Sequence, residues 1–358
     1  MLTRNLIALA TLMLAAGCGA EEAKVAADGF DDQQIVADFA DRVVVPTYAL
    51  LVERIDALHA SVGTLASAAT PGNLTAAQDA WLAARSPWEK SESFLFGPVD
   101  TFGYDPAMDS WPVNKTDLDA VLASGAPFTP AYISNLQETQ KGFHTLEYLL
   151  FGVDRGKTAA DLTPRELGYL VAISEELAAS AAALSASWTD SVGGRPPYRD
   201  VVATAGESGN TTYRSRLSTA QEILDGMIGI CDEVANGKIA DPFDAHDTTL
   251  VESQFALNSI VDFQDNLRSV ENVYLGGLPE AGPRGKGLSS YVAASDSALD
   301  ARVQSEIQAG IAAIGAIPRP FRTAITTPSS YDSIRAAQEA IRTLHGTLLQ
   351  EVQPLIVR

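Results

Sequence analysis

The sequence predicts an all-α protein built as two helical bundles. Three observations carry that prediction. Apolar residues recur every three to four positions along most of the chain, and no stretch alternates as a strand does. Ala and Leu abound while aromatics make up only 7% of residues, a composition that leans to helices. The 358 residues exceed the usual size of one domain, and the strongest interior break, Gly193-Gly194-Arg195-Pro196-Pro197, falls near the middle.

Ile35, Phe39, Val43, Leu50, Leu51, Ile55 and Leu58 give helical spacing from Asp31 to about Ser67, with a kink expected at Pro46. Thr75-Ala76-Ala77-Gln78 reads as a capping box opening the next helix, and Ser86-Pro87-Trp88-Glu89 as a second box that restarts it. Residues 98–116 read as a loop rich in Pro, Gly and Asp. Short helices are expected over Thr116–Ser124 and Thr129–Gln140, and a clear one over Gln140–Phe151. Thr163-Pro164-Arg165-Glu166 caps a helix to about Trp188. Later helices are expected over Ser218–Ala235, Thr248–Tyr274, Ser297–Ile314 and Ser329–Gln350. Phe96-Gly97, Phe151-Gly152 and Leu275-Gly276 look like glycine caps after buried last turns. The expected organisation is a leader over 1–17, a tether over 18–30, an N-terminal helical domain over 31–195 and a C-terminal one over 196–358.

Charge and cysteine content narrow the function. The net charge of −20 sets the chain against nucleic-acid phosphates and against an anionic membrane surface. Two cysteines, neither in a CxxC pair, exclude a disulfide framework and a cysteine zinc site. Arg4 and the apolar run Leu6–Ala16 form a leader too short to span a membrane. Leu14-Ala15-Ala16-Gly17-Cys18 then resembles a bacterial lipobox, in which the cysteine thiol takes the lipid and becomes the mature N-terminus. A secretory leader with an incidental cysteine is the alternative. Gly19, rather than the Asp that retains lipoproteins at the inner membrane, points to outer-membrane sorting. The expectation is a lipid-anchored envelope protein facing the periplasm or the cell surface. Cys231, in the apolar run from Met227, reads as a small core residue.

Two segments carry the chemistry. In Gly142-Phe143-His144-Thr145-Leu146-Glu147 the imidazole and the carboxylate lie three apart, on one helix face. Such a pair can chelate a cation, act as a base with its orienting acid, or form a structural ion pair. HExxH protease chemistry is excluded, because the second His and the internal Glu are missing. In the segment from Trp81 to Glu92, Arg85 can pair with Glu89, which the capping box also occupies. Glu92 has no local duty, so it is the expected third ligand beside His144 and Glu147. One nitrogen and two carboxylates suit iron, manganese or zinc. His59, His246 and His345 stand alone, and Asp262, Asp265 and Asn266 read as groups that cap or pair between the halves.

The Gly-x-His-x-x-Glu motif of Gly142, His144 and Glu147, continued by Tyr148-Leu149-Leu150-Phe151-Gly152, resembles the signature of the imelysin-like family. The stretch from Trp81 through Arg85 and Glu92 to Asp100 is similar to its upstream segment, and Asp109-Ser110-Trp111-Pro112 to its Trp-Pro loop. Glu252-Ser253-Gln254-Phe255, Asp262, Asn266 and Asn272–Gly276 continue the likeness, so the ordered set spans roughly residues 31–350. The resemblance implies an all-helical pair of bundles with a cleft between them, and a cell-envelope location. Family members include a membrane peptidase, iron-regulated proteins and a periplasmic component of iron uptake. Three functions are expected in turn. The first is metal binding, of iron or else zinc, by His144, Glu147 and Glu92, serving iron acquisition with a membrane partner. The second is a metallopeptidase, with Glu147 as base and Arg85 stabilising an oxyanion. The third is a non-catalytic scaffold binding a protein in the cleft.

Overall fold

The structure is a computed structural model and describes residues 30–357. The leader, Cys18 and nearly all of the expected tether lie outside the described residues. Within these the chain is helical, and the only β-pairing is an isolated bridge between Val192 and Arg195.

Eight long helices build the frame: α1 (Val45–Ser67), α2 (Pro71–Glu89), α3 (Gly142–Phe151), α4 (Pro164–Thr189), α5 (Arg216–Glu233), α6 (Ser259–Leu275), α7 (Ser297–Gly315) and α8 (Tyr331–Thr347). In the first half α1 packs against α2 and α4, and α3 bridges α2 and α4. In the second half α6 and α8 flank α7, and α5 packs on α6 and α8. Helix α4 is long and apolar enough to cross a membrane by composition. Here it is a core helix, with Tyr169, Leu170, Ile173, Ala181, Leu184 and Trp188 fully buried.

The two halves meet along α2 and α6, and where the turn Glu92–Phe94 lies on α5 and α6. The close approach is set by Gly226: a Cβ there would lie 2.2 Å from the Ser93 carbonyl oxygen. Buried apolar side chains from both halves form one continuous cluster. The Gly193–Pro197 break is a surface turn outside it.

Several expected boundaries move, each for a local reason. Helix α2 begins at Pro71 under a Thr70 cap, four residues before the Thr75 box. It runs unbroken through Pro87, because Ser86 turns its hydroxyl outward to Asp265 rather than capping. Pro46 sits in the first turn of α1, where its missing N–H costs nothing, and the irregularity lies before it, in a π-helical turn at Phe39–Val44. Of the three expected glycine caps only Gly276 is left-handed; Gly97 and Gly152 have positive φ with extended ψ. The Pro/Gly/Asp-rich loop holds two short helices, Pro98–Phe102 and Tyr104–Asp109. The largest departure is at Thr248: only a single 3-10 turn, Thr248–Leu250, starts there, and residues 251–258 form a tight loop with Ser253 and Leu257 in the left-handed region, before α6 begins at Ser259.

Candidate metal centre

The site forms at the junction, from the C-terminal end of α2, the end of the Tyr104–Asp109 helix, the first turn of α3, the 251–258 loop and the turn after α5. Helix α3 is pinned by α2: Trp81 Nε1 donates to the Phe143 carbonyl at 2.9 Å, and its indole meets Phe143 and Phe151 edge-on. Gly142 opens α3 at φ +76, and a Cβ there would lie 2.4 Å from the Met108 carbonyl oxygen. Only glycine therefore lets the start of α3 touch the backbone beside Asp109.

That contact sets His144 against Asp109. His144 is 1% exposed, and its Nε2 lies 3.2 Å from Asp109 Oδ1 and 4.0 Å from Glu252 Oε1. Nε2 has no hydrogen-bond partner. The other ring nitrogen is held: Nδ1 donates to Glu147 Oε2 at 3.0 Å. Glu147 Oε1 in turn accepts the backbone N–H groups of Phe255 and Ala256 at 2.8 and 2.7 Å. The 251–258 loop, whose left-handed residues let its amides converge, thus clamps Glu147 and delivers Glu252 to His144.

Arg85 lies at the centre of the carboxylates. It is fully buried, pairs with Glu89 at 2.5 Å and Glu252 at 2.6 Å, and bonds Asp109 as well. Trp88 Nε1 donates to the second Asp109 oxygen at 2.6 Å. Lys238 supplies the second cation, 3.2 Å from Glu252, 3.5 Å from Glu92 and 3.6 Å from Glu89. Asn266 donates to Glu89 Oε2 at 2.6 Å, and Asp265 joins Ser86 to Arg268, so both pair between the halves as the sequence indicates.

The electrostatics follow from burial and this charge order. Burial pushes the Asp109 carboxyl up, but Arg85 and His144 outweigh it and hold it below the usual carboxylate range. Burial works against a charged His144, yet Asp109 and the bond to Glu147 prevail and raise it to about 9. Glu89 is pushed up to about 7 by burial, against Arg85 and Lys238. Glu92 and Asp262 are raised by burial and then by neighbouring carboxylates. Burial disfavours the Lys238 ammonium, but Glu252, Glu89 and Glu92 raise it further.

A cavity of about 760 Å3 opens beside the cluster. Glu92, Asp105, Asp109, Glu233, Asp241, Asp244 and Glu252 line it with Trp111 and a single lysine, Lys238. The Trp111 indole, in a cis peptide with Pro112, meets the His144 ring edge-on.

The site differs from the sequence expectation in its members. His144 is central to it. Glu147 faces away from the cavity with both oxygens engaged, so it orients His144 rather than ligating. Glu92 reaches Lys238 and the cavity, not His144. Asp109, Glu252 and Lys238 are the residues the sequence reasoning left out of the site. As for the peptidase roles, Glu147 has no free oxygen to act as base, and the Arg85 guanidinium is spent on three carboxylates. His59 bonds Ser174, and His246 bonds the Ile325 carbonyl, both away from the site.

The donor set fits a metal ion. Asp109, His144 and Glu252 each offer an atom within 4.8 Å of the others. With metal–ligand bonds of about 2.0–2.2 Å, neighbouring ligand atoms fall about 3–4 Å apart, and His144 Nε2 lies 3.2 and 4.0 Å from the two carboxylates. The held Nδ1 leaves the Nε2 lone pair as the metal-facing one.

Residues 44–348 match the family profile described as Imelysin. The chain is 30% identical over 348 residues to iron-regulated protein A of Synechococcus elongatus, covering 97% of this chain and 91% of that protein. Among solved structures it is similar to one from Parabacteroides distasonis assigned as an iron-regulated protein A precursor, with a TM-score of 0.83 and 29% identity, covering 93% of this chain and 97% of that one. An imelysin-like protein from Psychrobacter arcticum shares the fold, with a TM-score of 0.73 at 14% identity over 92% of this chain and 97% of that one. By its sequence and its all-helical fold, the chain belongs to the imelysin family.

Proposed function

We propose that this imelysin-family protein binds one metal ion, of the iron class, through Asp109, His144 and Glu252, and serves iron acquisition at the cell envelope. The observation that carries the reading is the buried His144 Nε2, which faces the carboxylates of Asp109 and Glu252 while Nδ1 is locked by Glu147. One imidazole and two carboxylates suit iron, with zinc the competing ion. The name of the Synechococcus relative supports iron. The acidic cavity gives a cation a favourable path inward, and Arg85 holds the carboxylates in place before it arrives. The lipobox at Cys18 supports a lipid anchor in the outer membrane, from which the ion would pass to a membrane partner.

The test is elemental analysis of the purified mature chain after iron loading and dialysis. One ion per chain is expected, lost in His144→Ala and in Asp109→Asn. Equal metal content in all three proteins would remove the reading.

A second reading, a metallopeptidase, draws on the cavity, which is large enough to admit a side chain beside the same ligand set. Chelator-sensitive cleavage of an unfolded protein, abolished by His144→Ala, would favour it over storage or transfer of the ion.

A further inference from the structure

We infer that Lys238 is a resident cation: its ammonium fills the position that a second metal ion would take among Glu89, Glu92 and Glu252, and so holds the centre at one exchangeable ion. The inference rests on the ligand set proposed for the first ion, and it concerns a neighbouring position that shares Asp109 and Glu252 with that set.

The chain goes out of its way to put an ammonium there. Helix α5 is followed at once by a π-helical turn, Val234–Lys238, closed by the Ile239 N–H on the Val234 carbonyl at 3.0 Å. One extra residue in a turn rotates the residues after it by about 100° around the helix. π-turns of this kind are frequent at functional sites. Here the turn aims a lysine into the junction of the two halves, although the surface was open to it.

The ammonium is caged rather than clamped. It lies 3.2 and 3.3 Å from the two Glu252 oxygens, 3.5 Å from Glu92, 3.6 Å from Glu89 and 4.0 Å from Glu233. Charge-assisted N–H···O bonds shorten to about 2.7–2.9 Å where one partner dominates. No partner dominates here. Glu89 and Glu92 are 0% and 9% exposed; Glu89 Oε1 is taken by Arg85 at 2.5 Å, while Glu252 Oε2 has Lys238 as its ion-pair partner at 3.2 Å.

Two of these acids, Glu89 and Glu92, belong to a ligand set that does not need Lys238. Glu89, Glu92 and Asp109 each offer an oxygen within 4.8 Å of the others, and Asp109 is shared with the His144 set. All three are carboxylates, so the position suits a hard divalent cation such as Mn2+ or Mg2+. Without the ammonium, these buried acids would face one another with only Arg85 and His144 to compensate, and buried carboxylates left unpaired are strongly disfavoured. A cation from solution would then take the place. Lys238 supplies that charge permanently, which keeps the carboxylates ordered before any ion binds and denies the position to a second one.

The test counts Mn2+ per chain by equilibrium dialysis at neutral pH, with unbound Mn2+ read by electron paramagnetic resonance. Lys238→Gln is expected to bind one more ion than the wild type, and Lys238→Arg, which keeps the charge, none more. The additional ion should persist in the double variant Lys238→Gln, His144→Ala. An additional ion in a background where the wild type binds none would support Lys238 as resident cation and remove the proposed function. No additional ion in Lys238→Gln, with helicity unchanged by circular dichroism, would overturn the inference, since the acids would then have taken protons instead. Glu92→Gln in the wild-type background guards against misfolding of the lysine variants. It removes an oxygen from the Lys238 cage but none from the first set, so affinity for the first ion should stay within threefold. Loss of that ion would overturn the inference, because Glu92 would then serve it.

Discussion

Glu147 grips His144 with one oxygen and the backbone of Phe255 and Ala256 with the other, so one carboxylate ties the orientation of the imidazole to the placement of the loop that carries Glu252. The histidine and the glutamate of the motif therefore divide the work: one turns a ring nitrogen to Asp109 and Glu252, and the other fixes which nitrogen does so. The conjunction explains why the two residues lie one helical turn apart on a helix buried on every side but one.

Glu147→Gln tests that division. The amide oxygen can still accept the Phe255 and Ala256 N–H groups, but the NH2 then faces Nδ1 and must donate to it. With Nδ1 turned into an acceptor, the remaining ring proton is held on Nε2, where the ion has to displace it. Metal affinity should fall about 10–100-fold, with stability lower by about 1–3 kcal/mol. Titration calorimetry and urea unfolding read the two effects, and an unchanged affinity would deny Glu147 its orienting role.

Arg85 is the charge on which three acids depend. Its loss in Arg85→Gln leaves Asp109, Glu89 and Glu252 short of a buried partner and should cost about 3–5 kcal/mol. Arg85→Lys should recover less than half of that, because one ammonium cannot replace a fork that meets three carboxylates at once. Urea midpoints at neutral pH decide it. A lysine variant as stable as the wild type would mean that Lys238 already suffices.

The metal-free protein should lose stability as pH rises. His144 is held at about 9 in the folded chain, above the ordinary imidazole value of 6.5. A group raised on folding stabilises fully below its unfolded value and ceases to do so above its folded one. The His144 share, of order 3 kcal/mol, should therefore be present at pH 6 and gone above about pH 9. Glu89, raised to about 7, acts with the same sign between 4.5 and 7. Asp109 is held low, so it acts the opposite way and only in acid. Denaturant unfolding with chelator across pH 6–9.5 should show the decline, and His144→Gln should flatten it. A wild-type curve as flat as the variant's would show that His144 is uncharged when folded.

Much of the fold was legible because the long helices bury one face at regular spacing. The Thr163 cap formed with Glu166 as its sequence indicates, and the His144 helix starts and stops within two residues of expectation. The site was less legible for physical reasons. Glu89 looked occupied by a capping box, but Thr70 had already capped the helix and freed Ser86 to reach Asp265. Asp109 stood next to the Trp-Pro pair, and that adjacency was the available signal. Glu252 was hidden because residues 248–258 carry helical spacing, whereas two left-handed backbone positions turn them into a loop. Lys238 left no trace, since a π-turn changes which side a residue faces without changing the residues around it.

The separation of the site residues along the chain has a further consequence. Arg85 and Glu252 meet across 167 residues, and His144 comes from between them. Neither half of the protein contains the whole site, and neither could assemble it alone. An ion held there would stitch distant segments together, so that loading would mark a chain whose folding is complete. An imelysin-family protein cut between its halves would lose ion and junction in the same stroke.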